Sequence, residues 1–195
     1  MYRVIDHFDL LAPLYDRLIG PPDSAQLRRL LDLPPHGRLL DAGGGTGRVT
    51  AQLRPLVGEL VLLDQSIPML RQAHAKGLTP LRGDVARLPF PDASFDRIVV
   101  VDALHHFVDA RAAIADLLRV LRPGGRLVIE EPDLQHTVVK LIALAERLAL
   151  MGSHFFSPAA IQAMVAAHGV PVHIEADGQF AAWVVAEKAG PAGGV

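Results

Sequence analysis

The chain has 195 residues, half of them hydrophobic and 21% charged, a size and balance that fit one folded domain with a sizeable core and disfavour a second. Its 19 basic and 21 acidic side chains leave a net charge of -2, so no overall positive field would gather a nucleic-acid backbone. With no Cys, disulfide frameworks, thiolate zinc sites and cysteine nucleophiles are excluded together.

The first twenty residues carry Asp6, Asp9 and Asp16 among their apolar positions and lack the basic start and unbroken apolar run of a secretory leader. The greasiest stretch, Thr137 to Met151, is interrupted by Lys140, Glu146 and Arg147 and is too short for a membrane span. A cytoplasmic protein with no membrane span, monomeric or a homodimer, is therefore expected.

From about residue 38 onward, apolar β-type runs alternate with helical patterns, as in βαβ units around a parallel sheet. The first strand, Arg38 to Gly43, follows the breaker Pro34-Pro35-His36-Gly37, and a helix from Gly47 to Arg54 comes next. Glu59 to Asp64 forms the second strand, after which Ser66 offers an N-cap to a helix running to Ala75. Thr79 to Asp84 reads as a weak third strand, because Pro80 suits a sheet edge. Phe95 to Val101 is a strand apolar enough for burial on both faces, and a helix from Ala110 to Leu121 follows it. That helix should stop at the turn Arg122-Pro123-Gly124-Gly125, with the fifth strand at Arg126 to Glu130. Helices at Gln135 to Met151 and Pro158 to His168 precede two strands, Val170 to Glu175 and Gln179 to Glu187, close enough for a hairpin. The expected fold is a doubly wound, mostly parallel seven-stranded α/β sheet with helices on both faces and a C-terminal antiparallel hairpin. One domain, residues 1–188, would then include an N-terminal helical cap (1–33) and a helical insert (135–158), followed by a disordered tail (189–195).

The segment Asp41-Ala42-Gly43-Gly44-Gly45-Thr46-Gly47 places an acid and a glycine-rich turn where the first strand hands over to a helix. Backbone can approach a ligand closely only where side chains are absent, and the helix start offers free N–H groups. Asp64 and Asp84 end the second and third strands, so three successive strands finish in an acid at one edge, where open α/β sheets bind ligands. Gly43, Gly45 and Gly47 give G-x-G-x-G instead of the dinucleotide spacing, which disfavours a nicotinamide oxidoreductase. Asp41 would repel a pyrophosphate and attract the ammonium of a methionine-like tail.

At this point the chain resembles the class I S-adenosylmethionine-dependent methyltransferases over about Arg38 to Pro132. LLDAGGGTGR is similar to the family's first motif, VLLDQSIPML to its second, RGDVARLPFPDASFDRIV to the region of the third strand and LRPGGRLVIEEP to the closing one. The resemblance implies that Asp41 and the Gly43 to Gly47 turn hold the methionine part of S-adenosylmethionine, that Asp64 serves the ribose, that its neighbour Gln65 belongs to the cofactor set, and that Met69 covers one adenine face. It further implies that Asp84 accepts from the adenine amino group beside the Val85 backbone, and that Asp102 joins the cofactor set. Met69 serves equally as helix packing, and Asp84 as a strand-end turn.

The opening FDLLAPLYDRLI is also similar to the start of UbiE-type quinone C-methyltransferases, which implies a lid built from Phe8, Leu11 and Tyr15. The turn Asp102-Ala103-Leu104-His105-His106-Phe107 departs from those quinone enzymes and is similar to the broader small-molecule methyltransferases. His105 or His106 is a candidate general base for a small hydrophobic acceptor, against the alternative that one of them caps or packs. The apolar face Val138, Leu141, Ile142, Leu144, Ala145 and Leu148 suits a substrate cover, ordinary core or a dimer contact. The nine His show no ligand spacing, so no metal is expected. A binding protein that kept the pocket and lost the chemistry stays open as the alternative to an enzyme.

Overall fold

A computed structural model describes residues 24–132, 154–176 and 181–190. In chain order its elements are α1 (Ser24–Leu31), β1 (Arg38–Ala42), α2 (Arg48–Leu53), β2 (Glu59–Asp64), α3 (Ile67–Ala75), β3 (Pro80–Arg82), β4 (Phe95–Val101), α4 (Ala110–Val120), β5 (Leu121–Pro132), α5 (Pro158–Ala166), β6 (Val172–Ala176) and β7 (Ala181–Glu187). Phe8, Leu11 and Tyr15, expected to form a lid, the helix expected at Gln135 to Met151 and tail residues 191–195 lie outside the described residues.

The strands form one seven-stranded sheet in the order β3-β2-β1-β4-β5-β7-β6. The first five run parallel, and β7 is antiparallel to both β5 and β6, which is the expected C-terminal hairpin. The chain steps outward from β1 to β2 and β3, then returns to place β4 on the other side of β1. The crevice at the carboxyl ends of β1 and β4 is therefore the point where strand order reverses, the place where such sheets bind ligands.

Alternation along the strands sorts the core into two layers. Leu39, Val99, Val128 and Val185 pack with Leu27, Leu30 and Leu31 of α1 and with Val49 and Leu53 of α2 on one face. Their neighbours Leu40, Val100, Ile129 and Val184 pack with Ile114 and Leu117 of α4 and with Ile161 and Val165 of α5 on the other. The part of the N-terminal segment that is described, α1, thus belongs to the core under the sheet.

The departures from the sequence expectation that bear on the site are at β3 and β5. β3 is only three residues long and lies at the sheet edge, so it stops short of Asp84. β5 starts at Leu121, directly after α4, instead of at Arg126. Leu121 pairs with Phe95 and the next pair is Arg126 with Arg97, so the Pro123-Gly124-Gly125 stretch is taken up as a bulge, with Gly124 at φ 77°. Among the described residues, no helix is long and apolar enough to cross a membrane.

Candidate active site

A cavity of about 360 Å³ opens at the reversal point, within the range of small-molecule sites. The glycine turn forms its floor. The amides of Gly43 and Gly44 donate to the Leu63 carbonyl at 2.8 and 3.2 Å, and the amide of Gly45 donates to Asp64 Oδ2 at 2.9 Å. These bonds fold the turn across the end of β2. Gly43 is at φ 75°, and a Cβ there would lie 2.8 Å from the Ala103 Cβ, so no other residue fits without moving the loop after β4. Gly45 is the reverse case. Its φ is 53° and a Cβ would meet nothing within 4 Å, so the bare backbone faces open space in the cavity.

Asp41, at the end of β1, is buried and accepts from the Thr50 hydroxyl. Burial pushes its carboxyl up to about 6, against the lowering effects of Thr50 and Arg48. Asp64 lines the same cavity and is fixed at both oxygens, because Oδ1 accepts from the Ser66 amide at 2.8 Å. Arg48, at the first position of α2, crosses to Asp102 at 3.7 Å, and both line the cavity. Asp102 sits at φ 53°, an uncommon backbone for a residue with a side chain, at the point where β4 turns into the next loop. Gln65, Met69 and Val85 complete this half of the wall, with Met69 and Val85 buried.

Two of the expected cofactor residues do not line the cavity. Gly47 is the N-cap of α2 at φ 76°, and a Cβ there would fall 2.3 Å from the Leu78 side chain, so the turn packs closely at this point. Asp84 lies two residues beyond the short β3 and is exposed. Its Oδ1 accepts from the Ala86 amide at 2.9 Å and from the Gln65 side chain at 3.3 Å, the strand-end turn reading.

The other half of the wall comes from the loop after β4, where Ala103, His106, Phe107 and Val108 line the cavity. Residues Leu104–His106 form one 3-10 turn, which sends successive side chains about 120° apart. His106 faces the cavity; His105 does not. The His105 ring is 2% exposed, its Nδ1 lies 2.6 Å from Glu131 Oε2, and it stacks on Phe155 at 4.5 Å. Desolvation, helped by the electrostatic influence of the neighbouring His105 ring, pushes His106 down to about 3, so its ring is unprotonated across the physiological range. Sequence reasoning did not single out Thr50, Phe107 or Glu131. Thr50 was findable, since a hydroxyl one turn into the helix that follows an acid-glycine turn can reach back to that acid. No group of three or more His, Cys, Asp or Glu among the described residues is placed to hold a metal.

A family model described as a methyltransferase domain matches residues 40–129. A Thermus thermophilus protein named demethylmenaquinone methyltransferase is 33% identical, covering 86% of this chain and 93% of its own. A Stutzerimonas stutzeri protein named ubiquinone/menaquinone biosynthesis C-methyltransferase UbiE is 40% identical over 66% of this chain and 57% of its own. Several other relatives are spanned over about half of their length. In fold, the chain is similar to Haemonchus contortus phosphoethanolamine N-methyltransferase 2 in complex with S-adenosyl-L-methionine, at a TM-score of 0.78 and 17% identity, covering 95% of this chain and 58% of that one.

Proposed function

The chain belongs to the UbiE-like class I S-adenosylmethionine-dependent methyltransferases, and on that premise we propose that it methylates a small apolar acceptor bearing an ionisable hydroxyl, seated beside His106 and Phe107. The observation that carries this reading is a single cavity with an acid-lined glycine turn on one side and an unprotonated, half-buried imidazole on the other.

The residues present fit S-adenosylmethionine. Gly45 leaves the space a side chain would fill, and the carboxylates of Asp41 and Asp102 with the guanidinium of Arg48 match an amino-acid tail that carries both charges. Asp64 and Gln65 would take the ribose hydroxyls, and Met69 and Val85 would flank the base. Tyr15, which the resemblance assigns to the lid, is proposed on that ground alone. When bound, S-adenosylmethionine supplies a methyl group already activated on a sulfonium, so the protein needs no nucleophile of its own.

The chain's own residues then position the acceptor and take its proton. Phe107, Val108 and Val101 give that end of the cavity an apolar lining. As the acceptor's bond to the methyl forms, the sulfur–methyl bond would break to leave a neutral thioether, and the acceptor's hydroxyl, made far more acidic, would pass its proton to a ring nitrogen of His106. A base of such low affinity takes the proton late, once the acceptor has gained the methyl. The names of the relatives make a hydroquinone the first acceptor to test. Labelled methyl transfer should be measured with 1,4-naphthohydroquinone and a panel of simple phenols; transfer to none of them, with S-adenosylhomocysteine still bound by calorimetry, would leave a non-catalytic binding protein.

A further inference from the structure

Behind His106, and away from the cavity, lies a buried polar cluster that neither the cofactor site nor the proton transfer uses. Glu131, at the carboxyl end of β5, is 2% exposed. Its Oε1 accepts from the amides of Ala103 at 3.0 Å and Leu104 at 2.7 Å, and its Oε2 meets His105 Nδ1 at 2.6 Å. A carboxylate buried this deeply persists only where its oxygens are satisfied. The three partners are the start of the 3-10 turn and the ring inside it, so one side chain clamps the whole turn to β5. β5 lies beside β4, with Val101 paired to Glu130, so the clamp closes one residue past the last pair of that register.

The His105 ring is wedged between Phe155, stacked at 4.5 Å with an interplanar angle of 13°, and His106, at 3.8 Å and 51°. The backbone carbonyl of His105 is held as well, accepting from the His154 amide at 2.7 Å. The imidazole that faces the cavity therefore rests on an imidazole that cannot turn.

We infer that Glu131 and His105 are positioning residues for His106: the carboxylate fixes the tautomer and plane of the His105 ring, and that ring fixes the angle at which His106 meets the acceptor. The inference rests on His106 being the group that meets the acceptor. Hydrogen bonding at one ring nitrogen decides which form of an imidazole is present, so a change at Glu131 is transmitted through His105 without Glu131 touching the cavity.

Glu131→Gln isolates this role. Its carbonyl oxygen still accepts from Ala103 and Leu104, while its amide donates toward His105 Nδ1 and forces the opposite tautomer. Nitrogen NMR of protein labelled at His should find the His106 ring signals displaced in Glu131→Gln, and turnover of 1,4-naphthohydroquinone reduced by about ten- to a hundredfold with S-adenosylhomocysteine affinity within about twofold. If Glu131→Gln does not fold, His105→Asn, which leaves the Glu131 bonds to the turn, reads the same coupling. His106 ring signals identical to wild type in a folded variant would overturn the inference. Failure of the wild-type protein to methylate the hydroquinone would instead count against the acceptor, and the NMR result would still decide the positioning role.

Discussion

The two halves of the cavity are built by different means. The cofactor half is made from contiguous sequence, in which β1, the glycine turn and α2 follow one another and Asp64 reaches back to hold Gly45. The half proposed for the acceptor is made from a short turn clamped by a residue 26 positions further on, Glu131, which arrives through strand pairing. The first half is a backbone cradle with carboxylates at its rim. The second is a buried network of side chains in which every member depends on its neighbours, and such networks respond to single substitutions more than their pairwise bonds suggest.

This contrast predicts where damage separates. The largest effect is expected at His106, the member of the acceptor half that faces the cavity. His106→Gln should lower turnover by on the order of 10²–10⁴-fold and leave cofactor affinity within about twofold. Steady-state kinetics beside calorimetry would test the split, and equal losses in both would mean that the halves are not separable.

Next in size is Asp64→Ala, in the cofactor half. It removes a charged acceptor and releases the Gly45 amide, so the dissociation constant for S-adenosylhomocysteine should rise by about ten- to a hundredfold. An unchanged constant would take Asp64 out of the site.

The third prediction sharpens the comparison through pH. Asp41 is held up at about 6, above its ordinary value of 3.8, so the fold favours its neutral form. Its contribution to the stability of the unliganded protein is present below about pH 4 and is lost as the pH rises through 6. A cofactor ammonium beside it reverses that preference, because only the ionised carboxylate attracts the cation. Cofactor affinity should therefore fall by up to about tenfold per pH unit below 6, while melting of the unliganded protein gains from the same group. Thr50→Val, which removes the lowering hydroxyl, should move the midpoint of the affinity curve upward. A flat affinity curve between pH 5 and 7 would assign the ammonium to Asp102 instead.

The smallest effect is expected at Asp84, which the sequence resemblance placed in the cofactor set and the structure places on the surface turn. Asp84→Asn should change cofactor affinity by less than about threefold, the scale of ordinary surface substitutions. A tenfold loss would return it to the cofactor half.

Much of the architecture was readable from residues alone. β2 and β4 have the bounds expected from their apolar runs, Pro80 foretold an edge strand, and the succession of strand, acid, glycine turn and helix located the crevice. These signals are local. An acid at a strand end, a residue that only glycine can replace at positive φ and an N-cap serine each act within a few residues of chain, so their order in the sequence is their order in space. What local order could not settle was which side chain faces which way once strands had paired. His105 and His106 are neighbours in sequence and chemically identical; only the turn they occupy, and the carboxylate that β5 brings against it, send one into the cavity and the other into the core. Gly47 and Asp84 matched a motif but do not line the cavity. Leu78 packs where a Gly47 Cβ would have been, and Asp84, beyond the short β3, turns its carboxyl to the Ala86 amide and the Gln65 side chain. Orientation at a site is decided by packing and by the partners that satisfy buried polar groups, and those partners come from elements far apart in the chain.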